Sequence, residues 1–195
     1  MLSRKNIIWI MLFLMFQGCS LKEPPLKIYT LNTTTNIKVY NHTFKEKTLK
    51  VNYPQSIKEK IGQEMNFSYS ETEQGSYQNA RWSNSLGQLL QGVFLETLQQ
   101  SGLFGTVLSF SSSAREDYRL ESTVFAFSHC VRGDISNAAV SIQFSLIDAD
   151  TGKLMKSRRF SYAVPTITTD AKGYTDAANQ ALDQLSRDLA AWLEK

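Results

Sequence analysis

Ala138-Ala139-Val140-Ser141-Ile142-Gln143-Phe144-Ser145-Leu146 alternates apolar with small or polar side chains without a break, and Asp148-Ala149-Asp150-Thr151-Gly152-Lys153 follows it. A period of two puts Ala138, Val140, Ile142, Phe144 and Leu146 on one face of a β-strand. Asp and Gly tolerate the left-handed backbone conformations of a tight return, so 148–153 predicts a hairpin turn. Leu154 to Val164 is then the second arm, stopped by Pro165. One face of this hairpin is apolar and must be covered, and what covers it decides the fold.

The segment beyond Pro165 supplies a cover. Tyr174, Ala177, Ala178, Ala181, Leu182, Leu185, Leu189, Trp192 and Leu193 recur at helical spacing, with Asp183, Arg187, Asp188 and Glu194 facing away. Asp176 is placed in the first turn and Lys195 at the end, both favourable to the helix dipole. A second amphipathic helix is predicted upstream from Leu86, Leu89, Leu90, Val93, Phe94 and Leu98, with Gln88, Gln91, Glu96 and Gln99 largely outside the stripe. Ser83 is its expected N-cap and Gly102 its stop. Gly87 and Gly92 weaken this helix, and either could permit close approach to a sheet.

Further strands are expected at Leu49 to Tyr53, Met65 to Tyr69, Thr106 to Phe110 and Tyr118 to Val131. The last places Tyr118, Leu120, Val124 and Ala126 on one face, with Phe125 and Phe127 on the other. Ser70 to Asn79 reads as a polar stretch with Gly75 marking a turn. The sum is a single α+β domain, a mostly antiparallel sheet with two amphipathic helices packed on it.

The first eighteen residues are of another kind. Arg4 and Lys5 precede an apolar run from Ile7 to Phe16, too short to span a bilayer and the right length for a signal-peptide core. Phe16-Gln17-Gly18-Cys19 then resembles the lipobox of bacterial lipoproteins, with Phe16 and Gln17 departing from its commonest residues. The expected organisation is a signal peptide over 1–18, a lipidated Cys19 with a tether over 19–47, and a folded domain over 48–195. Several acyl chains anchor stably where one does not. Ser20 after the cysteine favours the outer membrane over the inner, on the periplasmic face.

The chain has 21 basic and 18 acidic side chains. Two of the basic ones lie in the leader, so the mature chain is close to balanced and carries no nucleic-acid footprint. With Cys19 committed to lipid, Cys130 has no intrachain partner, and the fold does not rest on a disulfide. His129 beside Cys130 points to the opposite strand face, and a structural role is expected for both. Asp148 and Asp150 lack the later ligands of a calcium loop and are explained by the turn. Metal, cofactor and catalytic residues are expected to be absent, since neither a nucleophile elbow, a zinc helix nor a phosphate loop is present.

Four features together resemble the ABC-type transport auxiliary lipoprotein family. They are Tyr29-Thr30-Leu31 soon after the lipobox, Asn79-Ala80-Arg81-Trp82-Ser83 before the first helix, Leu103-Phe104-x-x-Val107 after it, and the Asp-x-Asp-x-Gly hairpin with an Ala-rich terminal helix. The segment after Tyr53-Pro54 and the polar stretch 32–48 depart from the family pattern. The resemblance implies a non-enzymatic accessory of an MCE-type lipid transport system, docking the periplasmic MCE protein and aiding lipid movement between membranes. It makes a homo-oligomer reasonable. Arg81 and Trp82 are the candidate partner contacts, since both types are enriched in hot spots. The structural alternative is Trp82 stapling a helix entry to the core. A second class of function, activation of a peptidoglycan synthase from the outer membrane, shares the anchor, but a tether of roughly 28 residues is modest for that reach.

Overall fold

The computed structural model describes residues 24–33, 37–40, 44–57, 61–70 and 72–195. The signal peptide and Cys19 lie outside the described residues. The strands are β1 (Lys27–Tyr29), β2 (Phe44–Val51), β3 (Gln55–Ser56), β4 (Glu64–Ser68), β5 (Gln74–Trp82), β6 (Phe104–Ser109), β7 (Tyr118–Arg132), β8 (Ile135–Asp148) and β9 (Leu154–Pro165). The helices are α1 (Leu86–Ser101) and α2 (Ala171–Glu194).

The framework is the antiparallel meander β7–β8–β9, paired along nearly its full length. Its inward positions are those the alternation predicts: Ala138, Val140, Ile142, Phe144 and Leu146 are all buried. At the distal turn, Asp148 accepts from Thr151 N (2.8 Å) and Thr151 Oγ1 (2.7 Å), and Gly152 takes φ 68°. The other edge of β7 is met in succession by β2, β3 and β4, all parallel to it. β6 extends β2, and β5 then β1 extend β4, so the sheet forks on that side. The sheet is thus mixed, with its two longest ladders antiparallel and most of its shorter ones parallel.

Both helices lie side by side on one face, joined by Thr97 Oγ1 donating to Ser186 Oγ (2.9 Å). α2 buries the expected stripe from Tyr174 to Leu193, with Trp192 half-buried at its edge. Asp170 caps it, accepting from Gly173 N (2.8 Å), so Asp176 stands beyond the first turn. At the far end, Lys156 Nζ donates to Trp192 O (3.1 Å) and Leu193 O (3.0 Å), satisfying carbonyls that the helix leaves open.

The structure corrects several sequence expectations. α1 is capped by Ser85, which accepts from Gln88 N, two residues later than Ser83. Gly102 ends it in the left-handed conformation as expected. Gln91 is buried and donates to Val51 O (3.1 Å), tying α1 to β2. A Cβ at Gly87 would overlap the Tyr53 ring, whereas Gly92 has open space around it. Residues 74–82, expected to be largely a polar turn, form strand β5. In β7 a bulge between Val124 and Ala126 reverses the alternation. Leu120 and Val124 face the core before it and Phe127 and His129 after it, so Ala126 stays off the core face. Within 19–47, Lys27–Tyr29 and Phe44–Lys47 belong to the sheet.

Candidate functional site

Arg81 and Trp82 are the last two residues of β5, and successive strand residues point to opposite faces. Trp82 is 1% exposed and packs edge-on against Phe127 (centroids 6.1 Å) and Tyr174 (5.7 Å). Its backbone N–H donates to Gln63 O (2.8 Å). Arg81 is exposed on the other face, opposite Ile28 of β1. The two do not form one surface. Trp82 ends a strand, and α1 begins only at Leu86.

A chain of polar side chains runs beside Trp82. His129, fully buried, has Tyr77 Oη 2.6 Å from Nδ1 and Ser136 Oγ 2.7 Å from Nε2. Ser136 Oγ in turn lies 2.5 Å from Thr166 Oγ1. The imidazole stacks on Tyr174 with centroids 5.5 Å apart and planes 3° from parallel. Burial holds the His129 pKa below its ordinary value, against a smaller opposing pull from Asp170. Burial likewise pushes the Tyr77 phenol up to about 12, so it keeps its proton and can donate. The chain joins β5, β7, β8 and the segment after β9. A serine–histidine pair can serve nucleophilic chemistry, but that needs a third group stabilising imidazolium. A neutral phenol does this poorly, and Ser136 is already engaged by Thr166. The arrangement acts as a pin between elements. Tyr77 and His129 are 52 residues apart on different strands, and no sequence pattern links them.

Beside Tyr77 a cleft of about 320 Å³ opens to the surface. Pro24, Pro25, Lys27 and Tyr29 form one wall, Tyr77 to Ala80 the other, and Asp170 and Ala171 the end. The cap hydrogen bonds from Gly173 N and Thr168 Oγ1 (2.7 Å) hold the Asp170 carboxyl below its usual range.

The remaining candidates have local partners. Cys130 is a half-buried free thiol accepting from Ser68 Oγ (3.3 Å). Asp148 turns into its own loop, and Asp150 pairs with Arg115 (2.6 Å), so the two carboxylates diverge. Among the described residues no group of three or more His, Cys, Asp or Glu could hold a metal ion, and no helix is long and apolar enough to cross a membrane.

The described residues form an α+β domain built around a packed core, with a buried polar chain that pins its strands together and side-chain caps on both helices. Residues 61–190 match the model of the family described as ABC-type transport auxiliary lipoprotein component, and the chain belongs to that family. No curated protein matches the sequence. Among solved structures, it is similar to protein XCC0632 from Xanthomonas campestris, at 22% identity and TM-score 0.74, covering 85% of this chain and 94% of that one. A structure described as an uncharacterized protein is 19% identical with TM-score 0.66, covering 87% and 99%. The hypothetical protein CT253 from Chlamydia trachomatis is 8% identical with TM-score 0.50, covering 76% and 96%. These likenesses are of fold.

Proposed function

We propose that this auxiliary lipoprotein is held by acyl chains on Cys19 at the periplasmic face of the outer membrane, where it docks the MCE component of an ABC-type lipid transporter and aids lipid passage between membranes. The family match over 61–190 carries this reading, since that family accompanies ABC transport systems. The lipobox at Phe16–Cys19 supports the anchor. The fold supports docking in place of chemistry, because β9 offers twelve residues whose outer edge pairs with nothing among the described residues. An open strand edge with Arg158 and Arg159 exposed along it suits addition of a partner strand. Arg81, exposed on β5 across β7 and β8 from that edge, is a second contact. Restriction to a thin layer raises the effective concentration of such a domain for a membrane-spanning partner.

Co-purification tests the reading. The full lipidated chain, extracted in detergent from its own envelope, should bring down the MCE protein, and Arg158→Glu with Arg159→Glu should reduce the yield several-fold. Recovery of the lipoprotein without any transporter component contradicts it.

A further inference from the structure

We propose that the end of the domain carrying Tyr69, Ile135 and Ile167 rests in the interfacial region of the bilayer that holds the anchor; this rests on the reading of Cys19 as lipidated.

Three connections meet at that end. β4 runs parallel to β7 with Ser68 opposite Cys130, so Tyr69 emerges beside the β7–β8 turn. Ile135 closes that turn opposite Arg132. β9 finishes with Pro165 opposite Asn137, and Thr166 N donates to Ser136 O (2.9 Å), which places Ile167 there too. Tyr69 is 51% exposed, Ile135 62% and Ile167 89%. One apolar tip on each of three adjacent connections is a pattern that water does not reward.

The path of the N-terminus selects this end. β1 runs parallel to β5 with Lys27 opposite Ala80. Going backward from Lys27, the chain borders the cleft whose opposite wall runs from Ala80 back to Tyr77, with Pro24 and Pro25 on its near side. It is heading toward Gln74, which lies opposite Ser68, next to Tyr69. Cys19 precedes Pro24 by five residues, a reach of at most about 18 Å at roughly 3.3–3.6 Å per residue. Through the ladders that link β1, β5, β4, β7 and β8, Pro24 stands about level with Val140, roughly 17 Å from Ile135 and roughly 26 Å from Asp148 at about 3.3 Å per residue, so that reach meets the first end and falls short of the Asp148–Lys153 turn. That end also exposes Leu154 and Met155, so anchor length and not apolarity decides between the two.

The charges at the proposed contact are mixed. Arg132, Lys27 and Lys172 stand against Glu73, Asp134, Asp170 and Asp176, and Lys172 is paired with Asp176 (2.6 Å). Contact therefore rests on apolar insertion and does not require anionic lipid.

The test uses the full lipidated chain in vesicles of phosphatidylethanolamine and phosphatidylglycerol. In a Cys130→Ser background, Ile135→Cys, Ile167→Cys and Leu154→Cys each carry an environment-sensitive dye, and nitroxide lipids quench it. Dyes at 135 and 167 should be quenched at least twofold more than the dye at 154. A readout on the unsubstituted side chains checks the same point: acetylation of Lys27 should fall several-fold on vesicles relative to detergent, with Lys153 unchanged. Equal quenching at all three positions, or stronger quenching at 154, overturns the proposal. Mass analysis of the same sample separates the two claims. A lipidated N-terminus with unquenched dyes refutes the contact alone, whereas an unlipidated one refutes the anchor and the contact with it.

Discussion

Tyr77 Oη lies 2.6 Å from His129 Nδ1, inside a core where the imidazole has no contact with water. A neutral ring can satisfy both neighbours only as donor at one nitrogen and acceptor at the other. Tyr77→Phe removes one partner and leaves a buried nitrogen unsatisfied, with an expected loss of about 1–3 kcal/mol. Urea unfolding of the variant against the parent measures it.

The same histidine makes stability depend on pH. Burial depresses its folded pKa below the unfolded value near 6.5. Between the two values the unfolded chain binds the extra proton, so stability falls as pH drops below about 6.5 and is flat above about 7.5. The melting temperature should therefore decline from pH 7.5 to pH 5. His129→Gln should flatten that decline while lowering stability at pH 7.5.

The two glycines of α1 should respond to alanine with opposite signs. Gly92 has open space, so Gly92→Ala should gain about 0.5–1 kcal/mol from helix propensity alone. At Gly87 the new methyl would collide with Tyr53, whose hydroxyl lies 3.2 Å from the capping Ser85 Oγ. Moving the ring disturbs the cap, and Gly87→Ala should lose about 1–3 kcal/mol. Thermal melts of the two variants decide.

Trp82 and Arg81 separate folding from contact. Trp82→Ala opens a cavity against Phe127 and Tyr174 and should cost about 3–5 kcal/mol. Arg81→Ala should stay within about 0.5 kcal/mol of the parent, as surface changes usually do. Any loss of partner recovery in that folded variant then reports contact.

What could be read in advance follows from what one-dimensional patterns encode. The run from Ala138 to Leu146 alternates because both its neighbours are antiparallel and one face is buried, so its burial, turn and partner strand were all legible. The α2 stripe was legible for the same reason at helical period. β5 was not, because Gln74-Gly75-Ser76-Tyr77-Gln78-Asn79 keeps its strand through ladder hydrogen bonds with little apolar alternation. The bulge at Phe125 was hidden too, since one inserted residue reverses which face is buried without changing composition. The parallel pairings of β2, β3 and β4 with β7 leave no sequence mark, and neither does the approach of Tyr77 to His129. The nearby pair Ser83 and Ser85 shows the usual ambiguity of a cap, resolved only when Tyr53 packs against the later one.

The reading of this chain as a docking accessory is tested most directly by crosslinking whole envelopes of the native strain, with the Cys19-anchored protein as bait and mass spectrometry as readout. The account predicts an MCE protein among the crosslinked partners, with peptides joined to β9 or to the region of Arg81. Recovery of a peptidoglycan synthase with no transporter component would contradict it and assign the domain to cell-wall regulation.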